Sequence, residues 1–361
     1  TLLSTDERPD VIVAMADIFE DAVKKARNDF PEVPAENCFS GWDAYQKAIA
    51  VPGVNYVILA SPPGFRPMQF KAAIEAGKHV FMEKPVAVDA PGVREILAAG
   101  EVAKQKGLCV VAGTQRRHQP SYVETIKRIQ DGALGEILYL RAFWNQGSIW
   151  HRGYDPSKSE MENQVNNWYH YRWLSGDHIV EQHLHNIDVC NWAMGDIHPV
   201  KAYGQGGRQA LGDKPGHIWD HFAVEFEYEN GARMYSQCRQ ISGCDGLVKE
   251  FAYGTKGESN CENYLKGKDT RWRFPGRPSD AYTLEHTDLI NAIRSGKSIN
   301  ETKVVAESTL TAIMGRESAY TGQNVDWETM MASKTVLMPE KLEWGPVPKV
   351  EIPIPGKYKL V

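Results

Sequence analysis

Short apolar runs alternate with amphipathic segments through the first third of the chain. Residues 1–9 are polar and read as the end of a helix. Residues 10–17, 54–60, 79–82 and 108–112 are apolar on successive positions, the pattern of parallel strands buried on both faces. Between them, 19–30, 45–50, 67–76 and 90–106 carry helical spacing, and Gly77 and Gly107 end two of these segments. This alternation predicts an α/β fold with a doubly wound parallel sheet. After Pro120 the rhythm changes. A helix over 121–131 leads into longer strand runs at 136–144, 199–204, 220–228 and 232–239. Charged and aromatic residues alternate over 225–228 and meet Asn230-Gly231, a strong hairpin signal. This half predicts an α+β region with an open, mainly antiparallel sheet and late helices over 284–294 and 304–320. Residues 333–361 are proline-rich and predict an extended tail. Gly204-Gln205-Gly206-Gly207 precedes no helix, so it reads as a turn and not as a phosphate cradle.

At 361 residues the chain can bury two cores of ordinary size. Its net charge of −5 and lack of a basic block point away from nucleic acid, and no apolar run is long enough to span a membrane. Six cysteines lie scattered without a C-x-x-C pair, which indicates packed thiols and neither a zinc knuckle nor a disulfide framework. No signal peptide is visible. The chain reads as beginning mid-fold, so the expected compartment is the cytoplasm, or the periplasm if an export signal precedes Thr1.

The organising stretch is His79-Val80-Phe81-Met82-Glu83-Lys84-Pro85. Pro85 lacks an N–H and biases Lys84 away from helix, so the strand stops with Lys84 at its carboxyl end, the edge where α/β sheets bind ligands. A lysine fixed there can aim a donor at a substrate; the plain alternative is a surface lysine. Asp17 ends the first apolar run. It reads either as an acceptor for adenosine ribose hydroxyls or as a helix N-cap. Ile18 stands where a phosphate-binding residue would favour NADP, so the pair leans to NAD. Ser61-Pro62 forms a stiff turn at another strand end, suited to close cofactor approach and equally to an ordinary turn.

Residues 144–173 are dense in aromatics. Trp150, His151, Tyr154, Trp168, Tyr171 and Arg172 supply the stacking faces and polar donors that sugar rings take, or else the packing of an ordered loop. Glu181 and His185 are four apart and share a face if one helix holds both. A carboxylate so placed orients an imidazole and raises its pKa for acid–base work. Glu181, His183 and His185 also suggest two histidines and a carboxylate for a metal, but alternate residues share a face only on a strand, so no metal is expected.

Phe81-Met82-Glu83-Lys84-Pro85, followed about a hundred residues later by Glu181 and His185, resembles the Gfo/Idh/MocA oxidoreductase family. The segments 285–290 and 294–297 add to the likeness. The resemblance implies an N-terminal Rossmann domain (1–118), a substrate-binding and oligomerisation domain (119–332) and the tail (333–361). It implies NAD as cofactor and hydride transfer between nicotinamide and a carbinol carbon of a sugar, glycoside or cyclitol. Lys84 then bonds the reacting hydroxyl, Glu181 and His185 fill the family's acid and base positions, and Asp188 matches a further acid. Asp17, Ile18, Ser61, Pro62, Glu83, Lys84 and Gln115 form the implied cofactor set. Arg117, His183 and Asp188 join the aromatic stretch as the implied substrate set. Three features depart from the pattern: no glycine loop is present, Glu181 replaces an aspartate, and His183 stands where glycine is common.

Two other functions share these features. A redox glycosidase would use NAD transiently, and a non-catalytic sugar or nucleotide regulator would only bind. A homo-oligomer is expected in each case.

Overall fold

The computed structural model describes residues 11–268 and 270–361. The reading of residues 1–9, and of residue 10 as a strand start, lies outside them. The parallel region divides into two sheets. Strand β1 (Met15–Asp17) pairs in parallel with β2 (Cys38–Ser40) across helix α1 (Glu20–Asp29). After α2 (Ala44–Ala50), a three-stranded parallel sheet forms from β3 (Tyr56–Leu59), β4 (His79–Met82) and β5 (Val110–Ala112). Helices α3 (Arg66–Glu75) and α4 (Ala90–Gln105) make its crossovers. Val80, Phe81, Met82, Val110 and Val111 are all buried, as central parallel strands require. Asp89 caps α4 by accepting from the Gly92 N–H at 2.9 Å.

Helix α5 (Pro120–Gln130) leads to β6 (Ile137–Gln146), the middle of a nine-stranded sheet. Four short helices follow: α6 (Glu160–Asn166), α7 (Arg172–Ser175), α8 (His178–Glu181) and α9 (Leu184–Ala193). The sheet is completed by β7 (Lys201–Gly207), β8 (His221–Glu227), β9 (Arg233–Gln240), β10 (Leu247–Gly254), β11 (Gly257–Ser259), β12 (Tyr264–Gly267), β13 (Arg271–Arg273) and, after two long helices, β14 (Val325–Asp326). Its order is β13-β12-β11-β10-β6-β9-β8-β7-β14. Every pair is antiparallel except β6 with β9. The long helices are α10 (Ala281–Ser295) and α11 (Thr302–Thr321), and α12 (Trp327–Ala332) closes the region.

The glycine-rich run at 204–207 is not a turn. Gly204, Gly206 and Gly207 lie within β7. A Cβ at Gly206 would stand 2.2 Å from the His221 carbonyl oxygen, and one at Gly204 would stand 3.0 Å from the Gly315 carbonyl oxygen. The glycines let β8 and α11 approach, a role that chain order alone does not reveal.

The late helices return to the parallel region. The Val110 N–H donates to the Ile299 carbonyl at 2.8 Å, and the Glu301 N–H donates to the Val110 carbonyl at 3.0 Å. Arg316 on α11 is fully buried. Its guanidinium donates to the carbonyls of Val88 and Gly176, both at 2.8 Å, and pairs with Glu317. This one side chain ties the segment after Lys84 to the segment before Glu181.

Candidate active site

The site grows from the turn at the end of β4. Glu83 continues the strand, its N–H donating to the Leu59 carbonyl at 2.9 Å, and Lys84 joins Pro85 through a cis peptide. Beneath the turn Arg66 is fully buried. It donates to the carbonyls of Ser61 at 2.6 Å, Pro85 at 3.1 Å and Leu59 at 3.4 Å, pinning two strand ends together. Burial pushes its guanidinium down to about 10. Sequence reading passed over Arg66, yet it carried a signal: a cation in the first turn of a helix opposes the helix dipole and so calls for a tertiary partner.

The second wall begins at Gly176 and Asp177. Both have positive φ, 79° and 75°, so the chain turns sharply. Asp177 caps α8 by accepting from the His178 N–H at 2.6 Å, and it accepts from the Trp219 N–H at 2.8 Å and from the Tyr320 hydroxyl. The cap throws α8 toward Lys84 and leaves Glu181 on its last turn. There the Lys84 ammonium meets a Glu181 carboxylate oxygen at 3.0 Å and also donates to the Glu181 carbonyl. Both side chains are nearly buried. The second Glu181 carboxylate oxygen is buried with no hydrogen-bond partner.

His185 differs from expectation. Gln182 and His183 separate α8 from α9, so one continuous helix does not hold Glu181 and His185. Glu181 spends its carboxylate on Lys84. The imidazole stacks on Trp144 at 5.7 Å between ring centres and 22° between planes. Its pKa is not raised. Burial first, then the Lys84 and Arg116 cations, push it well below the ordinary histidine value. Burial thus favours the neutral imidazole, and a pair of cations contributed by other segments adds to it.

Arg116 and Trp144 are the functional neighbours that sequence reading missed. The Arg116 guanidinium lies 5.9 Å from the Trp144 ring centre and 5.8 Å from that of Tyr122. It pairs with Glu250, a fully buried carboxylate that also accepts from Asn186 and, at 3.1 Å, from the Tyr122 hydroxyl. Burial pushes the Glu250 carboxyl up, against the pull of Arg116. Glu250 sits mid-strand in β10. A charged residue there reads as a solvent face, which is why that strand escaped notice.

Several residues expected to face substrate have partners within the protein. Arg117 and Asp188 form a two-point ion pair, both hydrogen bonds at 2.8 Å, and Ser308 donates to the same aspartate at 2.8 Å. Arg117 also reaches Asp196 at 2.9 Å and lies against Trp192. His183 is wholly buried, with Nε2 2.8 Å from the Ser236 hydroxyl, and burial pushes it down to about 3. Glu181, His183 and His185 thus turn to three different partners. Among the described residues no group of three or more such side chains is placed to hold a metal.

The aromatic stretch folds largely on itself. Trp150 meets Trp168 edge-on at 6.2 Å, Tyr171 meets His217 at 5.2 Å, and Arg172 lies between Tyr320 and Tyr358 at 5.5 and 5.6 Å. His151 accepts from the Gly153 N–H at 2.9 Å. Trp150 and Tyr154 keep the most exposure among these residues.

For a dinucleotide, the residues present fit. Asp17 is exposed at the carboxyl end of β1, where one carboxylate oxygen accepts from the Phe19 N–H at 2.8 Å. Helix α1 starts at Glu20 with Phe19 as its N-cap residue and no side-chain cap, so Asp17 stands before the helix and is not its N-cap. Ile18 packs beside it with Phe19 and Trp42. At the end of β5, the buried Thr114 hydroxyl and Gln115 carbonyl oxygen have no partner, and the Gln115 amide donates to the Tyr282 hydroxyl at 3.2 Å. Ser61 donates to Gln69, and the Ser61-Pro62 turn is seated on Trp173 through Phe65 at 5.7 Å.

A parallel sheet with an acid at the end of β1 and a lysine at the end of β4 is a layout that suits a nicotinamide-dependent oxidoreductase, and the family match shows that class. The chain belongs to the Gfo/Idh/MocA family. Residues 5–114 match its model described as "Oxidoreductase family, NAD-binding Rossmann fold", and residues 122–259 match the "GFO/IDH/MocA C-terminal domain". It is an NAD-dependent enzyme of that family. The chain is 23% identical over 259 residues to scyllo-inositol 2-dehydrogenase (NAD(+)) of Bacillus subtilis, covering 68% of this chain and 70% of the relative. It is 30% identical over 259 residues to inositol 2-dehydrogenase/D-chiro-inositol 3-dehydrogenase of Halalkalibacterium halodurans, covering 68% of this chain and 66% of the relative. The structure of scyllo-inositol dehydrogenase from Lactobacillus casei, with bound NAD(H) and scyllo-inositol, superposes with a TM-score of 0.66 at 19% identity. The match covers 87% of this chain and 91% of that one and shows the shared fold.

Proposed function

We propose that the protein oxidises a secondary hydroxyl of a cyclitol or sugar. The observation that carries this reading is the ion pair of the Lys84 ammonium with Glu181 at 3.0 Å, which joins segments 97 residues apart and sets a cation whose charge acts on the buried His185. Lys84, steadied by Glu181, donates to the reacting hydroxyl oxygen and stabilises negative charge as it develops there. His185, already unprotonated, takes the hydroxyl proton. Trp144 holds the imidazole plane, and Arg116 holds Trp144. NAD, when bound, supplies the hydride acceptor. The buried, unpartnered Glu181 oxygen and Trp144 indole N–H are a ready acceptor and donor for neighbouring substrate hydroxyls. The inositol dehydrogenases among the relatives point to a cyclitol first.

The test is NADH formation by the full-length protein with scyllo-inositol, myo-inositol, D-chiro-inositol and a set of aldoses. Accumulation of NADH with at least one of them is expected. Firm NAD binding with no NADH from any of them would overturn the reading.

The protein is further proposed to assemble with copies of itself through the open sheet face. Tyr203, Glu225, Tyr235, Arg141 and Phe251 are neighbours in a row across β7, β8, β9, β6 and β10. Tyr203 and Tyr235 remain 62% and 45% exposed. Aromatic residues interleaved with opposite charges make a self-complementary surface. Light scattering is expected to give a mass of at least two chains, and Tyr235→Glu is expected to lower it. A monomeric wild type would remove this part.

A further inference from the structure

The carboxyl-terminal segment does more than lie extended. Residues 333–361 contain no helix or strand, yet they are held at several points. The Leu337 N–H donates to Asp89 at 2.9 Å, the Gly345 carbonyl accepts from the Met161 N–H at 3.0 Å, and the Val361 carbonyl accepts from the Lys334 N–H at 2.8 Å. Leu337, Met338, Leu342 and Val347 pack in one apolar cluster with Ile18, Phe19 and Trp42. These contacts bring Trp344 to one particular place. Its ring stacks on Phe19 at 5.6 Å and 20°, and tilts against Trp42 at 4.8 Å and 49°.

Phe19 lies two residues beyond Asp17, and Trp42 lies two residues beyond Ser40. Those are the last residues of the paired strands β1 and β2. The Gly41 N–H donates to the Asp17 carbonyl at 3.2 Å, which holds the two strand ends together. Trp344 therefore stands at the carboxyl edge of the parallel region, on the ring of Phe19, whose N–H donates to the exposed Asp17 carboxylate, and it remains 40% exposed itself. An exposed indole face next to an exposed carboxylate matches one ligand chemistry closely. The carboxylate accepts from a vicinal diol, and the indole presents an apolar surface to a flat heteroaromatic ring. An adenosine has both.

We infer that the tail forms part of the adenosine end of the cofactor site, with Trp344 as an aromatic wall beside Asp17. This rests on the reading of the protein as NAD-dependent and adds a cofactor contact from the far end of the chain. The tail then acts as a strap: its packing on the apolar cluster it shares with Ile18, Phe19 and Trp42 positions the wall, and bound adenosine covers the remaining indole face.

The test uses the full-length protein and ADP-ribose, which carries the adenosine end without the nicotinamide. Calorimetry is expected to show Trp344→Ala weakening ADP-ribose binding roughly tenfold, the order of a lost aromatic contact with its buried area. Trp344→Phe is expected to restore most of it. A second readout does not depend on the alanine variant folding. In protein labelled with fluorotryptophan, the Trp344 resonance, assigned by its loss in Trp344→Phe, is expected to shift when ADP-ribose is added. Unchanged affinity in a folded Trp344→Ala, or an unmoved Trp344 resonance at saturating ADP-ribose, overturns the inference and leaves the NAD reading standing. A wild type that binds neither NAD nor ADP-ribose overturns both.

Discussion

Lys84→Ala is expected to lower turnover by roughly a hundredfold or more while the protein still folds. The turn that ends β4 itself places the ammonium there, and Glu181 fixes its direction. Removing one donor that faces a developing oxyanion costs about 10²–10³ in rate. The turn itself does not depend on the lysine. Arg66 holds the carbonyls of Leu59, Ser61 and Pro85 from below, and the Val80 to Met82 core is untouched. The structural cost falls on Glu181, which is left as a buried carboxylate without its counter-ion. Glu181→Gln in the same background should recover stability without recovering rate. The measurement is kcat at saturating NAD and substrate, with a thermal melt as control. A rate close to wild type would remove Lys84 from the mechanism.

His185→Ala should produce a loss of similar size, because a positioned base contributes about 10²–10⁴-fold. It comes with a pH signature that a merely structural histidine lacks. Burial, Lys84 and Arg116 all disfavour the imidazolium, so the folded pKa lies below the ordinary value of about 6.5. As pH falls from 8 through 6.5, His185 stays unprotonated and remains a base. The acid limb of kcat/KM for alcohol oxidation is therefore expected well below pH 6.5. A limb centred at or above 6.5, and abolished in His185→Ala, would show that burial and the two cations do not govern the ring. Stability gives an independent check of the same shift. A histidine with a depressed folded pKa takes up its proton first in the unfolded state, so its contribution to stability is present above about pH 6.5 and is lost as pH falls below it.

Much of the frame is legible in the sequence. The four apolar runs, the helices between them, the stop at Pro85 and the hairpin at Asn230-Gly231 are written in local periodicity and in residues with fixed backbone preferences. The observed elements lie within a few residues of those positions. Two kinds of segment escaped. In β7, three glycines read as a turn because their reason lies in the neighbours they admit, Gly315 and His221. In β10, Lys249 and Glu250 interrupt the apolar pattern, since Glu250 is buried only by virtue of Arg116, Asn186 and Tyr122.

The candidate site divides the same way. The sequence by itself determined which chemistry-bearing residues exist and which strand ends carry them: Asp17 at β1, Lys84 at β4, Gln115 beyond β5. Those assignments follow from backbone rules acting over a few residues. The tertiary structure decided how the residues are employed. Glu181 was expected to serve His185, four positions away, and instead pairs with Lys84, 97 positions away. Arg117 and Asp188 were expected to meet a substrate, and the fold also pairs them with each other, 71 positions apart. Trp344 stacks on Phe19 from the opposite end of the chain. Charge pairing, desolvation and ring stacking depend on distance in space, and they fall off within a few ångströms. Spacing along the chain sets that distance inside one helix or strand, and packing sets it everywhere else.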